Sequence, residues 1–140
     1  GICGDDVLFE SEYKFYKLYT FEFGGSTLCL AGRKGEGLDH VQEGLFSVAT
    51  KFPTFTRAFF HRKGIPVEII RLNGSVELAP ILGLTPYIVD IVETGNTLRA
   101  NDLEVLQELS PIRIHLIANP AYYKLYYESI DALLRQLRKV

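Results

Sequence analysis

The chain has 140 residues, room for one ordinary domain or two small lobes and enough to bury a real core. Its 47% hydrophobic and 23% charged composition is that of a soluble globular protein, and a formal net charge of −2 gives no electrostatic case for nucleic acid or an anionic membrane. No apolar stretch reaches bilayer length, no signal-peptide pattern opens the chain, and Cys3 and Cys29 make neither a disulfide framework nor a zinc pattern, so buried reduced thiols in a cytoplasmic protein are expected.

Gly1 to Leu8 run from a strand-like end through a turn into a helix start, and the chain contains no Met. The expectation is the later part of a longer polypeptide. Asp5 or Asp6 is placed to cap a short helix over residues 7–10. Residues 13–23 alternate aromatic and polar side chains and read as extended, with Gly24-Gly25 breaking the run and residues 27–31 forming a second, buried strand. The stretch from Gly32 to Gly37 is a charged, glycine-rich loop without the spacing of a phosphate-binding P-loop.

Residues 46–50 form a strand, then Lys51-Phe52-Pro53 lead to Thr54, which is expected to cap a helix carrying Phe55, Ala58 and Phe59. Gly64 stops that helix, and Pro66 holds Ile65 extended before a strand over residues 67–72. Asn73-Gly74 turns the chain, and Ser75 is expected to cap a short helix with Leu78, Ala79, Ile81 and Leu82, ending at Gly83.

The next run, Tyr87–Val92, is short, apolar and β-branched, as a buried strand should be. It leads through Glu93-Thr94-Gly95-Asn96-Thr97 into the helix-favouring Leu98-Arg99-Ala100. A strand, a small-residue loop and a helix start make an anion site, because amide N–H groups point outward there and the helix dipole favours negative charge. Thr94 and Thr97 add hydroxyl donors, and Gly95 lets the backbone approach a ligand. Asp90 and Glu93 beside such a cradle suit sugar hydroxyls, since ionised carboxylates only accept hydrogen bonds. A ligand with both a phosphate and a ribose fits; an ordinary turn with a Thr N-cap fits the same residues.

Two extended runs follow, residues 103–109 and 112–118, separated by Ser110-Pro111. Asn119 caps a last helix with Pro120 at its first position, and Tyr126, Ile130, Leu133, Leu134 and Leu137 fall on its buried stripe. Strands alternating with helices argue an α/β sheet with mainly parallel strands, whose ligands sit at the strands' carboxyl ends. Lys51 and the turn holding Ser75 and Glu77 are further candidates there. His40, His61 and His115 lack ligand spacing, so no metal ligand is assigned. No nucleophile–base pair is visible, and no catalytic residue is named.

Taken together, Gly1-Ile2-Cys3-Gly4-x-Asp6, Ala49-Thr50-Lys51-Phe52-Pro53, residues 73–80 (NGSVELAP) and residues 90–98 (DIVETGNTL) resemble ATP phosphoribosyltransferase, the catalytic chain of the first step of histidine biosynthesis. Asn119-Pro120-Ala121-Tyr122-Tyr123 also resembles that family, and the similarity covers essentially the whole chain. The resemblance implies a two-lobed α/β fold like that of periplasmic binding proteins. One lobe would be complete (residues 27–110, carrying the phosphate loop) and the other partial (residues 1–26 and 111–140), without the opening half that brings a Lys-Gly-Arg motif to the cleft. A chain beginning at Gly1 is therefore expected to be inactive alone.

The implied reaction joins N1 of ATP to C1 of phosphoribosyl pyrophosphate and releases pyrophosphate, with Mg²⁺ accompanying the pyrophosphate. On that reading Thr94, Gly95, Asn96 and Thr97 hold the 5′-phosphate and Asp90 or Glu93 the ribose hydroxyls, with Asp6, Lys51, Ser75 and Glu77 as further cleft residues. The resemblance also implies a homo-oligomer and a separate regulatory subunit like a histidyl-tRNA synthetase. The competing expectation is a two-lobed small-molecule binding or effector-sensing module without catalysis.

Overall fold

The computed structural model describes residues 1–38 and 46–139. His40 lies outside them. The chain divides into two compact units, Gly1–Gly25 with Arg113–Val140, and Ser26–Ile112. Two long strands, β2 (Tyr16–Arg33) and β6 (Leu103–Ala118), run from one unit into the other.

Each of these strands was expected as two. The 18 residues of β2 continue through Gly24-Gly25. The glycines mark a close approach instead of a break: a Cβ on Gly24 would collide with Ile114 Cδ1. In the same way β6 passes Ser110-Pro111 unbroken, because proline's fixed φ and its restriction of the preceding residue both suit extended backbone, and only its N–H is lost.

In the unit of residues 26–112, β2 pairs antiparallel with β5 (Tyr87–Val92), which pairs parallel with β3 (Ser47–Thr50), and β3 pairs parallel with β4 (Glu68–Arg71). The expectation of mainly parallel strands is thus correct only for β3, β4 and β5. Those three are joined by crossovers, through α2 (Pro53–Arg62) and a single 3₁₀ turn (Val76–Leu78), and a crossover is what parallel pairing requires.

Side chains alternate across this sheet. Leu28, Leu30, Val48, Tyr87 and Val89 face Phe55 and Phe60 of α2. Ala31, Ala49 and Ile88 face Val76, Ala79 and Leu98 on the other side. Covering both faces leaves the carboxyl ends of β3 and β5 as the rim from which loops emerge. The architecture is mixed α/β.

Helix starts differ from expectation in three places. Pro53 occupies the first turn of α2, with Phe52 and not Thr54 at the N-cap. Ser75 does sit at the cap of the 3₁₀ turn, but in left-handed conformation (φ 51°) and with no side-chain cap bond. Gly4, not Asp5 or Asp6, precedes α1 (Asp5–Glu10). At the end of α2 the expected stop holds: Gly64 has φ 70°, its N–H reaches the His61 carbonyl, and the Ile65 N–H reaches that of Phe60.

In the other unit β1 (Ile2–Gly4) pairs antiparallel with β6, and Asn119 Oδ1 caps α4 (Pro120–Leu125) by accepting the Ala121 N–H at 2.8 Å. The final helical stretch is broken at Tyr126, after which α5 spans Tyr127–Arg138. Of the five residues expected on its buried stripe only Leu134 is fully buried, while Tyr126 and Leu133 are 56% and 46% exposed. Ile130 and Leu137, on the same helix, are half-buried. Both cysteines are free, Cys29 buried and Cys3 half-buried. Among the described residues no helix is long and apolar enough to cross a membrane.

Candidate active site

The loop after β5 forms as its residue types require. The strand ends at Val92, and the chain turns through Glu93-Thr94-Gly95 into α3 (Asn96–Ala100). Gly95 stands at the N-cap with φ 80°, a left-handed conformation that costs a Cβ-bearing residue about 1–2 kcal/mol. The first amides of α3 have no acceptor within the helix. Among the described residues the Asn96 N–H meets Thr94 Oγ1, at 3.4 Å. Residues 90–98 line a shallow hollow of about 260 Å³, so Asp90, Glu93, Thr94, Gly95, Asn96 and Thr97 are brought together as expected. The competing Thr N-cap is not what forms: the cap position belongs to Gly95, and no side-chain cap bond is made.

Arg99 was not among the expected residues. Its Nη2 donates to the Thr94 carbonyl at 3.0 Å and also bonds Asn96 Oδ1. A Cβ on Gly95 would lie 2.9 Å from Arg99 Nη1. The signal was available, since residues 96 and 99 are neighbours on a helix surface.

Asp90 lies on β5 opposite Cys29 of β2, half-buried at the inner edge of the hollow. Burial raises its pKa above the ordinary carboxylate value; the Ile91 N–H, donated to Asp90 Oδ1 at 2.9 Å, and the charge of Lys51 oppose the rise, and Glu77 adds to it. Asp90 therefore feels the charges of Lys51 and Glu77, although the three come from the end of β3, the 3₁₀ turn and β5. Ser75 is exposed at the start of that turn. Asp6 belongs to the other unit, half-buried in the first turn of α1.

Larger hollows exist in the same unit. One of about 720 Å³ is lined by Arg33, Lys34, Glu36 and Asp102 among others. Its charges are of both signs, and it contains none of the expected residues.

In the other unit a polar cluster went unforeseen. Asp5 Oδ1 meets His115 Nε2 at 2.7 Å and Lys17 Nζ at 3.3 Å, and Asp5 Oδ2 accepts the Arg113 N–H at 2.9 Å. His115 Nδ1 lies 2.8 Å from Thr20 Oγ1. A carboxylate only accepts, so His115 donates to Asp5 from Nε2.

Residues 1–139 match the family model HisG: ATP phosphoribosyltransferase. An ATP phosphoribosyltransferase of Clostridioides difficile (strain 630) is 47% identical over 135 residues, covering 96% of this chain and 64% of that one. The one of Thermotoga maritima is 44% identical over 140 residues, covering 100% and 66%. Among solved structures, the ATP phosphoribosyl transferase (HisG:HisZ) complex from Thermotoga maritima matches with a TM-score of 0.85 at 44% identity, over 99% of this chain and 68% of that one. An ArgBP structure from T. maritima matches with a TM-score of 0.56 at 19% identity, over 90% and 56% of the two chains, a likeness of fold alone. The chain spans about two thirds of the length of the curated relatives it matches. With a match along residues 1–139 and identities of 44–47% to these relatives, the chain belongs to the HisG family of ATP phosphoribosyltransferases.

Proposed function

We propose that this chain serves ATP phosphoribosyl transfer, the first step of histidine biosynthesis. The C1–oxygen bond to pyrophosphate breaks, a bond from C1 to N1 of the ATP adenine forms, and pyrophosphate leaves with the bonding electron pair. The observation that carries the reading is the loop of residues 94–97, an anion-suited turn flanked by Asp90 and Glu93, in a chain with family likeness along its whole length.

The amides of the loop and the hydroxyls of Thr94 and Thr97 hold the 5′-phosphate. Asp90 or Glu93 accepts from the ribose hydroxyls. A carboxylate as buried as Asp90 resists ionisation, and Lys51 offsets that resistance while remaining exposed to a second anionic group. Ser75 and Glu77 are further substrate contacts. The adenine nitrogen is already nucleophilic, so much of the rate comes from positioning and no general base is assigned.

Mg²⁺ arrives with the pyrophosphate. Among the described residues no group of three or more His, Cys, Asp or Glu is placed to hold a metal ion, whereas one or two carboxylates such as Asp90 and Glu77 suit an ion held mostly by phosphates and water. Such an ion offsets the charge of the leaving group. The protein works in the cytoplasm as a homo-oligomer. The solved T. maritima relative is a HisG:HisZ complex, and that pairing supports a separate regulatory subunit for this chain, one like a histidyl-tRNA synthetase.

The test is binding followed by turnover. Phosphoribosyl pyrophosphate should bind the 140-residue chain, and pyrophosphate should appear in the presence of ATP once any missing family portion and the regulatory partner are supplied. Binding of either substrate without pyrophosphate release in the supplemented system favours the binding-module reading. A chain that binds neither substrate has lost the proposed function.

A further inference from the structure

We infer that the hollow lined by Arg33, Lys34, Ile81, Ala100, Asp102 and Leu103 is a second small-molecule site, suited to an α-amino acid with an apolar side chain. It does not depend on the assignment of residues 94–97.

At about 720 Å³ the hollow is of the size that small-molecule sites have. A smaller one of about 380 Å³ shares Lys34, Asp102 and Leu103 with it. The pointer to a ligand is the pair of charges in that shared wall. Among the described residues neither the Lys34 ammonium nor the Asp102 carboxylate has a hydrogen-bond or ion-pair partner, and they do not pair with each other. Charged groups beside them are engaged: Glu104 Oε1 accepts the Gly35 N–H at 3.0 Å, Arg33 donates to the Pro80 carbonyl, and Arg99 donates to the Thr94 carbonyl.

Backbone bonds hold the free pair in place. The Lys34 N–H donates to the Asp102 carbonyl at 2.9 Å, and the Asp102 N–H to the Arg99 carbonyl at 3.2 Å. Asp102 is fixed at φ 56°, a left-handed conformation that few non-glycine residues adopt and that persists where the surroundings impose it, ligand clamps among such places. Two opposite charges anchored side by side fit a molecule carrying both, its carboxylate on Lys34 and its ammonium on Asp102. A plain anion would gain from Lys34 and be repelled by Asp102, and a plain cation the reverse. Buried Leu103, with Ile81 and Ala100, supplies apolar surface for the side chain.

The probe is L-leucine, titrated into the isotope-labelled 140-residue chain and followed by amide chemical shifts. Saturable shifts should appear at residues 33–35 and 100–104 with a roughly millimolar midpoint, as two exposed charge contacts imply. Lys34→Gln and Asp102→Asn should each weaken binding roughly fivefold, and asparagine tolerates the left-handed backbone. Leucinamide and isocaproate, each lacking one of the two charges, should bind the wild-type chain correspondingly more weakly. The ligand-free spectra of the variants report whether the fold is intact. No saturable shift at these residues, an affinity unchanged in both folded variants, or leucinamide and isocaproate binding as well as leucine overturns the inference.

Discussion

Thr50 Oγ1 donates to the Val89 carbonyl at 2.8 Å across the parallel β3–β5 pair, where Thr50 has no solvent exposure. The same oxygen accepts the Phe52 N–H at 3.0 Å. One hydroxyl thus ties the strands that deliver Lys51 and Asp90 and also seats the start of α2. Thr50→Val keeps the shape but leaves the buried Phe52 N–H without this partner, which should cost about 1–3 kcal/mol. The midpoint of urea unfolding should fall with little change in slope. Thr50→Ser should recover most of the loss, and a Thr50→Val protein as stable as wild type would show that the bond is dispensable.

Thr97 tests the cradle without touching the fold. It is exposed, it is not the cap of α3, and its hydroxyl makes no hydrogen bond among the described residues. Thr97→Ala should leave the melting temperature nearly unchanged and weaken phosphoribosyl pyrophosphate binding by roughly 10- to 150-fold, as loss of a charge-assisted bond of about 1.5–3 kcal/mol implies. ATP affinity should change much less. Gly95→Ala should lose both affinity and about 1–2 kcal/mol of stability, because its backbone is left-handed. Unchanged affinity in a folded Thr97→Ala protein would remove the hydroxyl from the site.

Asp90 should show opposite effects on stability and binding. Its folded-state pKa is raised, chiefly by burial, so the unfolded chain ionises first as pH rises. Stability therefore falls from the ordinary aspartate range up to the raised value, and the cost persists above it. Asp90→Asn should raise the melting temperature near neutral pH, with the gain shrinking in acid, while weakening phosphoribosyl pyrophosphate binding. Melting curves across pH on both proteins decide the first point and titration calorimetry the second. A variant with no gain at neutral pH would contradict the burial argument.

For Asp5 the sign is reversed. Burial pushes its pKa up, but the Arg113 N–H, His115 and Lys17 together outweigh that and hold it below the ordinary 3.8. Its contribution is present above the unfolded pKa and is lost as pH falls from about 3.8 through the lowered folded value. Asp5→Asn keeps an acceptor for Arg113 but loses the charge. The variant should melt lower than wild type at neutral pH, and the two curves should converge in acid. Parallel curves down to the acid limit would count against the pairing.

The local signals around the site were legible in the sequence because they concern neighbours in the chain. The β-branched run of Tyr87–Val92 and the Gly64 stop each follow from residue type within a few positions. The same is true of the Asn119 cap. The motifs that marked the family lie in such segments.

Where local signals misled, a distant partner decided. Gly24-Gly25 and Pro111 are punctuation on paper, yet β2 and β6 pass through both, and at Gly24 the nearby Ile114 side chain explains the glycine. Asp5 looked like a helix cap, but its carboxylate bonds His115, 110 residues away. Lys51, Glu77 and Asp90 share an electrostatic environment because parallel pairing of β3 with β5 brings their carboxyl ends to one rim. The sequence by itself determined the strand of Tyr87–Val92, the Gly64 stop, the Asn119 cap and the family's motifs, since those depend on backbone preferences of adjacent residues. The tertiary structure alone decided which charges meet and how buried they are, since charge interaction and desolvation depend on distance in space and not along the chain.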